Sequence, residues 1–327
     1  MAKHVAPGVF ACVVLLLHQY GSLATLAAMQ MQPLPSAKVY LPPTPDTLRV
    51  VLLGSASGPP VDLSQFGIST MVEAGGTRLL FDCGRGATIR LTQLGVSLAS
   101  VSRLFVTHLH SDHIIQIPDL LLVGWSSSGR TEPLQVWGPD GTSDMMEALQ
   151  RAYAFDIGMR RLVGAPAEGI RVVSRDVKEG TVFEKDGLKV TAFLVDHGRV
   201  APALGYRVDY RGRSVALSGD TRLSENLVRH AAGVDVVVHE VVDAIEARAT
   251  TRNPARAEEA IALHTTPDQV GEVFSRVKPR LAVYSHAPAT ASVIDQTRKT
   301  YTGPLQGAED LLTIDIGDQI AVKHFGQ

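Results

Sequence analysis

A chain of 327 residues has room for one large domain or two ordinary ones, and 45% hydrophobic with 20% charged residues is a globular balance that excludes disorder outside the N-terminus. A formal charge of -2 gives no basic footprint for a polyanion, which argues against nucleic acid as a substrate.

In chain order, Lys3 and His4 precede the apolar run Val9 to Leu17 and small residues at Ala24, Ala27 and Ala28, the pattern of an export signal over residues 1–28. The run is too short for a bilayer, which takes about 20 apolar residues. No stable membrane span is therefore expected after processing, and the mature protein is expected in the periplasm. Cys12 lies in that signal, so Cys83 is left alone and forms no internal disulfide. Pro33, Pro35, Pro42, Pro43 and Pro45 make residues 29–47 an extended linker, and one α/β domain is expected over 48–327.

Leu48 to Leu53, Ile68 to Glu73 and Thr77 to Asp82 have the apolar, β-branched character of strands. Ala87 to Leu94 reads as a helix closed by Gly95. Strand and helix then alternate: Arg103 to Thr107, Ile114 to Leu122, Leu134 to Trp137, Ser143 to Phe155. Such alternation indicates layered α/β structure. Lys185-Asp186-Gly187 and Tyr210-Arg211-Gly212 are hairpin turns between strand-like runs, so the sheets are mixed. Thr266, Pro267 and Gln269 supply an N-cap, a first-turn proline and a capping-box partner for a helix through Val277, followed by the strand Leu281 to Ser285.

The strand ending at Thr107 runs into His108-Leu109-His110-Ser111-Asp112-His113. In an extended segment His108 and His110 share a face and reach one ion, while Asp112 and His113, past the turn, aim at a second. Three imidazoles and a carboxylate suit zinc better than magnesium or calcium, which take oxygen cages. Six residues cannot complete two sites. His197, Asp220 and His286 are ligand types that each arrive where a predicted strand stops.

These residues sit in the segments Phe81 to Gly84 (FDCG), Thr107 to His113 (THLHSDH), Val195 to Gly198 (VDHG), Leu217 to Arg222 (LSGDTR), His239-Glu240, His264 to Thr266 (HTT) and Tyr284 to Ala287 (YSHA). In this order they resemble the metallo-β-lactamase superfamily, in its ribonuclease Z and arylsulfatase-like branch. The resemblance implies an αββα sandwich of two mixed sheets flanked by helices. It implies one zinc on His108, His110 and His197, another on Asp112, His113 and His286, and Asp220 bridging them, with iron or manganese as substitutes. Two such ions lower the pKa of a shared water and supply hydroxide near neutral pH, with Asp112 orienting it. His239 is placed by the resemblance at the transferred group and is the candidate for stabilising the leaving group. Asp82 and Glu240 are expected to support the ligands from behind. His264 is assigned no role, and Cys83 is expected to be an inert core residue.

For the substrate, the loop from Gly58 to Gln65 is acidic where ribonuclease Z enzymes carry a basic Pro-Lys-Arg-Asn type loop, and Arg207 to Leu217 leaves no room for their tRNA-gripping arm. Trp125, Trp137 and Phe155 are candidates to flank an aryl group. The expected function is hydrolysis of a small anionic ester, arylsulfatase-like or phosphodiester, with nucleic acid disfavoured and a homodimer allowed. The alternative is a ribonuclease Z-like 3'-tRNA-processing endonuclease, and a third is a metal-binding protein without turnover.

Overall fold

The structure is a computed structural model that describes residues 40–56, 58, 61, 64–287 and 289–325. The expected export signal and the first part of the expected linker lie outside the described residues. Leu48–Gly54 shows why the chain layers as it does. Leu48, Val50 and Leu52 point into one apolar cluster, and Val51 and Leu53 point into another. A strand buried on both faces needs apolar residues at both parities, so it reads as a run instead of an alternation.

The first sheet has eight strands in the order β15 (Ile320–Lys323), β14 (Leu312–Ile316), β1 (Leu48–Gly54), β2 (Ser69–Ala74), β3 (Thr77–Phe81), β4 (Arg103–Phe105), β5 (Leu134–Gly138) and β6 (Val172–Asp176). The second has seven, in the order β13 (Leu305–Gln306), β12 (Leu281–Ser285), β11 (Val236–Glu240), β10 (Arg213–Leu217), β9 (Ala203–Tyr210), β8 (Leu188–Val195) and β7 (Gly180–Lys185). Pairing is parallel from β3 to β6 and from β10 to β13, and antiparallel elsewhere. The described helices are α1 (Ala87–Gln93), α2 (Ser111–Ile114), α3 (Ile117–Ser126), α4 (Thr142–Ala152), α5 (Ala154–Leu162), α6 (Glu225–Ala231), α7 (Ala244–Thr250), α8 (Pro254–Leu263), α9 (Pro267–Val277) and α10 (Ala291–Thr297).

Three apolar clusters define the layers. The first, with Phe81, Phe105, Tyr206 and Val238, lies between the sheets. The second joins the outer face of the first sheet to α1, α3 and α4, and the third joins the second sheet to α6, α9 and α10. The four layers are the expected αββα sandwich of two mixed sheets flanked by helices.

The predicted hairpins close through Asp186-Gly187 and Arg211-Gly212, all four at positive φ, as a two-residue turn between twisted strands requires. The predicted helix from Ile114 is displaced: α2 ends at Ile114 and α3 starts at Ile117, where Pro118 is tolerated in the first turn. The predicted helix through Phe155 divides at Tyr153 into α4 and α5. The helix α9 begins after Thr266 with both halves of the predicted capping box formed.

One buried carboxylate holds the loop that follows β1. Asp310 accepts hydrogen bonds from the Ser55 and Phe66 amides at 3.0 and 2.7 Å and pairs with Arg90 at 2.6 Å. Removing it strands the Arg90 charge and two amides together. Asp310→Ala should lower unfolding stability by about 3 kcal/mol in urea denaturation, and a loss below about 0.5 kcal/mol would mean that the network is replaced by water.

Candidate metal centre

Every candidate ligand leaves the C-terminal end of a strand, the end at which open α/β sheets hold ligands. Asp82 follows β3, His108 and His110 follow β4, and Asp112 and His113 ride on the single turn α2. His197 follows β8, Asp220 follows β10, and His286 follows β12. Asp82 and His286 take positive φ, 55° and 67°, which turns each side chain back over the strand end. Non-glycine residues seldom adopt this conformation, and such strain concentrates at functional sites.

The structure brings these residues together in two sets. Ligand atoms of His108, His110, His197 and Asp220 lie within 4.8 Å of one another, as do those of Asp112, His113 and His286. One oxygen, Asp220 Oδ2, joins the sets: it lies 3.3 Å from Nε2 of His113 and of His286, 3.7 Å from that of His108 and 4.0 Å from that of His197. Asp112 Oδ2 lies 3.6 Å from both His113 and His286.

The residues fit metal ions. Nε2 of His108, His113, His197 and His286 is buried without a hydrogen-bond partner, a costly state for a polar atom unless something else binds it. The opposite nitrogens are engaged. His113 Nδ1 donates to Asp82 Oδ2 at 2.8 Å, and His197 Nδ1 donates to the Leu263 carbonyl at 2.9 Å. His108 Nδ1 meets the Thr107 hydroxyl at 3.0 Å. These bonds fix the tautomers that leave Nε2 free for a cation. Asp82 also accepts from the Thr107 amide and hydroxyl, both at 2.8 Å, which ties it to the loop that carries His108.

Charge is distributed accordingly. Burial, reinforced by the His113 charge, holds His108 well below the usual histidine range. Burial acts the same way on His113 but is outweighed by Asp220 and Asp82, which hold that ring well above it. Asp220 is driven low by His286 and His113 against its own burial.

Two further residues differ from expectation. His239 is fully buried, its Nδ1 bonded to the Glu240 carbonyl at 2.6 Å and its ring edge-on to Phe274 of α9. Alternation along β11 turns it to the helix layer, so it does not line the cleft. His264, unassigned in the sequence, does line it. It stacks on His286 at 5.0 Å between ring centroids and pairs through Nδ1 with Glu240 Oε2 at 3.3 Å. Burial lowers the affinity of His264 for a proton, but Glu240 outweighs it and raises the pKa to about 9. Glu240 is itself buried and accepts from the Thr221 and Thr265 amides at 3.2 and 2.9 Å, joining the end of β10, which carries Asp220, to the end of α8, which carries His264. The only sequence signal for His264 was its place in the HTT segment before the α9 cap.

The cleft has a volume of about 810 Å³ and runs from His110, Asp112, Asp220 and His286 out between α7 and α8. None of the three aromatic candidates lines it. Trp125 is buried with its indole N–H on the Pro166 carbonyl, Trp137 stacks on Phe105 between the sheets at 4.7 Å, and Phe155 is 83% exposed on α5. Cys83 is buried, and burial pushes its thiol up, so it is unreactive.

Replacing Asp82 with Asn should cost about 10- to 100-fold in metal affinity while the fold persists, because it leaves one acceptor oxygen where the Thr107 amide and His113 Nδ1 use two. Competition against a chromogenic chelator measures this, and unchanged affinity would refute the supporting role. Asp220→Ala should lower the metal content and abolish hydrolysis, read by elemental analysis and ester assay; near-normal values for both would refute the bridging position.

A model of the β-lactamase superfamily domain matches residues 77–287. A protein named ribonuclease Z from Mycobacterium avium is 34% identical over 280 residues, covering 82% of this chain and 98% of its own. A second ribonuclease Z, from Mycobacterium marinum, is 38% identical over 198 residues, covering 60% and 71% respectively. Human tRNase Z, short form, has the same fold at TM-score 0.62 and 20% identity, over 81% of this chain and 98% of that one. These relatives overturn the arylsulfatase-like expectation, and with it the argument against nucleic acid. Overall charge, the acidic loop from Gly58 to Gln65 and the missing arm describe how a large substrate docks and not which bond is cut. The chain belongs to the metallo-β-lactamase superfamily, in its ribonuclease Z branch.

Proposed function

We propose that this chain is a dinuclear metal-dependent phosphodiesterase of ribonuclease Z type, a 3'-tRNA-processing endonuclease, with zinc as the resident ion. One observation carries the reading: a ribonuclease Z aligns over 98% of its length with a chain in which one carboxylate oxygen lies 3.3 to 4.0 Å from four imidazole nitrogens. The donor set of imidazoles and carboxylates supports zinc over harder cations.

His108, His110 and His197 would hold one ion, Asp112, His113 and His286 the other, and Asp220 both. When bound, the ions lower the pKa of a water and neutralise charge on the phosphate. Asp112, besides holding an ion, would accept a hydrogen bond from such a water and orient it. His264 faces the same space, within 4.8 Å of Asp220 and His286, and Glu240 favours its protonated form. It donates its proton to the departing ribose oxygen, and Glu240 holds it oriented and charged.

The short hairpin of β9 and β10 turns through Arg211 and Gly212 with no arm inserted. Substrate contact then falls to the cleft itself and to the α7–α8 wall, which carries Arg256.

The zinc-loaded protein should cut a precursor tRNA once, at the start of its 3' trailer. His264→Ala should lower kcat by about 100-fold or more with metal content unchanged. Glu240→Gln removes the negative partner, so the alkaline fall in activity should move to lower pH. Intact precursor tRNA under conditions where the protein hydrolyses bis(p-nitrophenyl) phosphate would overturn the ribonuclease reading; an unshifted alkaline limb in Glu240→Gln would overturn the proton-donor assignment.

A further inference from the structure

The chain between Asp243 and His264 is a detour. It leaves the second sheet after β11 as α7 and returns as α8, and its two ends meet where the Val242 amide donates to the Thr265 carbonyl at 3.0 Å. The detour packs lightly. Among the described residues α7 buries none of its own and α8 buries Ala257 alone, whereas α9 buries six. The two helices hold each other through the exposed Arg248–Glu258 pair at 2.6 Å, which contributes little. Elements with so few buried contacts open most readily.

Two groups at the end of α8 nevertheless have fixed places at the metal ligands. The Leu263 carbonyl accepts from His197 Nδ1, and the His264 ring meets Glu240 and His286. A lightly packed helix does not hold them there, and the next residue does. Thr265 is fully buried with each of its polar groups engaged. Its amide donates to Glu240 Oε1 at 2.9 Å, its hydroxyl donates to the Thr221 carbonyl at 2.5 Å, and its carbonyl accepts from Val242. Thr221 is buried as well and directly follows Asp220. Its own hydroxyl accepts from the amide of Asp196, the residue before His197, at 3.2 Å. The two backbone bonds of Thr265 call for no particular side chain, but the third needs a hydroxyl.

We infer that Thr265 is a positioning residue, whose hydroxyl pins the return of the α7–α8 detour to the Thr221 carbonyl and so holds the His264 imidazole beside the metal ligands. The inference rests on the reading of His264 as proton donor. Without the hydroxyl, the buried Thr221 carbonyl loses this donor. His264 is then carried by a helix pair that the sheets hold weakly, and proton transfer falls off steeply with such displacement. The sequence gives no sign of this bond, since its partner lies 44 residues away in the chain.

The test compares Thr265→Val, which deletes the hydroxyl in a side chain of similar shape, with Thr265→Ser, which keeps it, in the zinc-loaded full chain. Bis(p-nitrophenyl) phosphate releases p-nitrophenolate, which leaves without a proton, and diphenyl phosphate releases the more basic phenolate, which gains from one. The ratio of kcat on the first to kcat on the second should rise about tenfold in Thr265→Val, with both KM values within about twofold of wild type. In Thr265→Ser the ratio should return to within about twofold of wild type. In the same zinc-loaded preparations, hydrogen exchange at the Val242 amide should quicken about tenfold in Thr265→Val while that of β12 is unchanged. A ratio raised in His264→Ala but not in Thr265→Val, or unchanged Val242 exchange, would overturn the pin and leave the donor assignment standing. A ratio unchanged in both variants would overturn the donor assignment and the positioning role together. Cleavage of precursor tRNA enters neither outcome and bears on the ribonuclease reading alone.

Discussion

The site depends on one buried carboxylate. Asp220 sits almost without solvent, with one oxygen facing four imidazole nitrogens that make no hydrogen bond. A lone carboxylate in such a place is costly, and its charge must be matched by cations, whether protons on the histidines or metal ions. The surrounding bonds oppose the proton solution on several rings. His197 and His108 have their outer nitrogens committed to a carbonyl and a hydroxyl, and burial lowers the proton affinity of both. Binding metal ions relieves the conflict for all of them at once.

The sandwich serves that point. Because β3, β4, β8, β10 and β12 all end at one edge, five separate stretches of chain deliver side chains to a volume a few Å across. The apolar cluster between the sheets fixes the strands, and Asp82 and Glu240 fix the loops just beyond their ends. Glu240 connects the cage to chemistry. Its two oxygens hold the Thr221 amide beside Asp220 and the ring of His264, so the carboxylate of the cage and the imidazole at the cleft share one buried anchor.

Much of this was legible in the sequence, for particular reasons. His108 to His113 announce themselves because alternation and a turn place them locally, and the strands before His197, Asp220 and His286 are short apolar runs with clear ends. The hairpin turns and the Thr266 cap were also readable, since each depends on a few adjacent residues. His264 was not, because its position is set by Glu240 across the fold, 24 residues away in the chain. His239 misled for the opposite reason: it ends a strand like the candidate ligands, yet parity turns it into the helix layer against Phe274. The substrate was misread because overall charge is an average, and an average of -2 says little about a groove a few residues wide.

A crystal of the zinc-loaded protein, with anomalous data collected above and below the zinc edge, tests the central claim most directly. The account requires two peaks, about 3.5–4 Å apart, one among His108, His110 and His197 and one among Asp112, His113 and His286, with Asp220 Oδ2 between them. The structure also holds a rival arrangement, since Asp220, His264 and His286 place ligand atoms within 4.8 Å of one another. A single peak in that third position, with His264 bound to metal instead of free to carry a proton, would contradict both the two-ion centre and the proton-donor assignment.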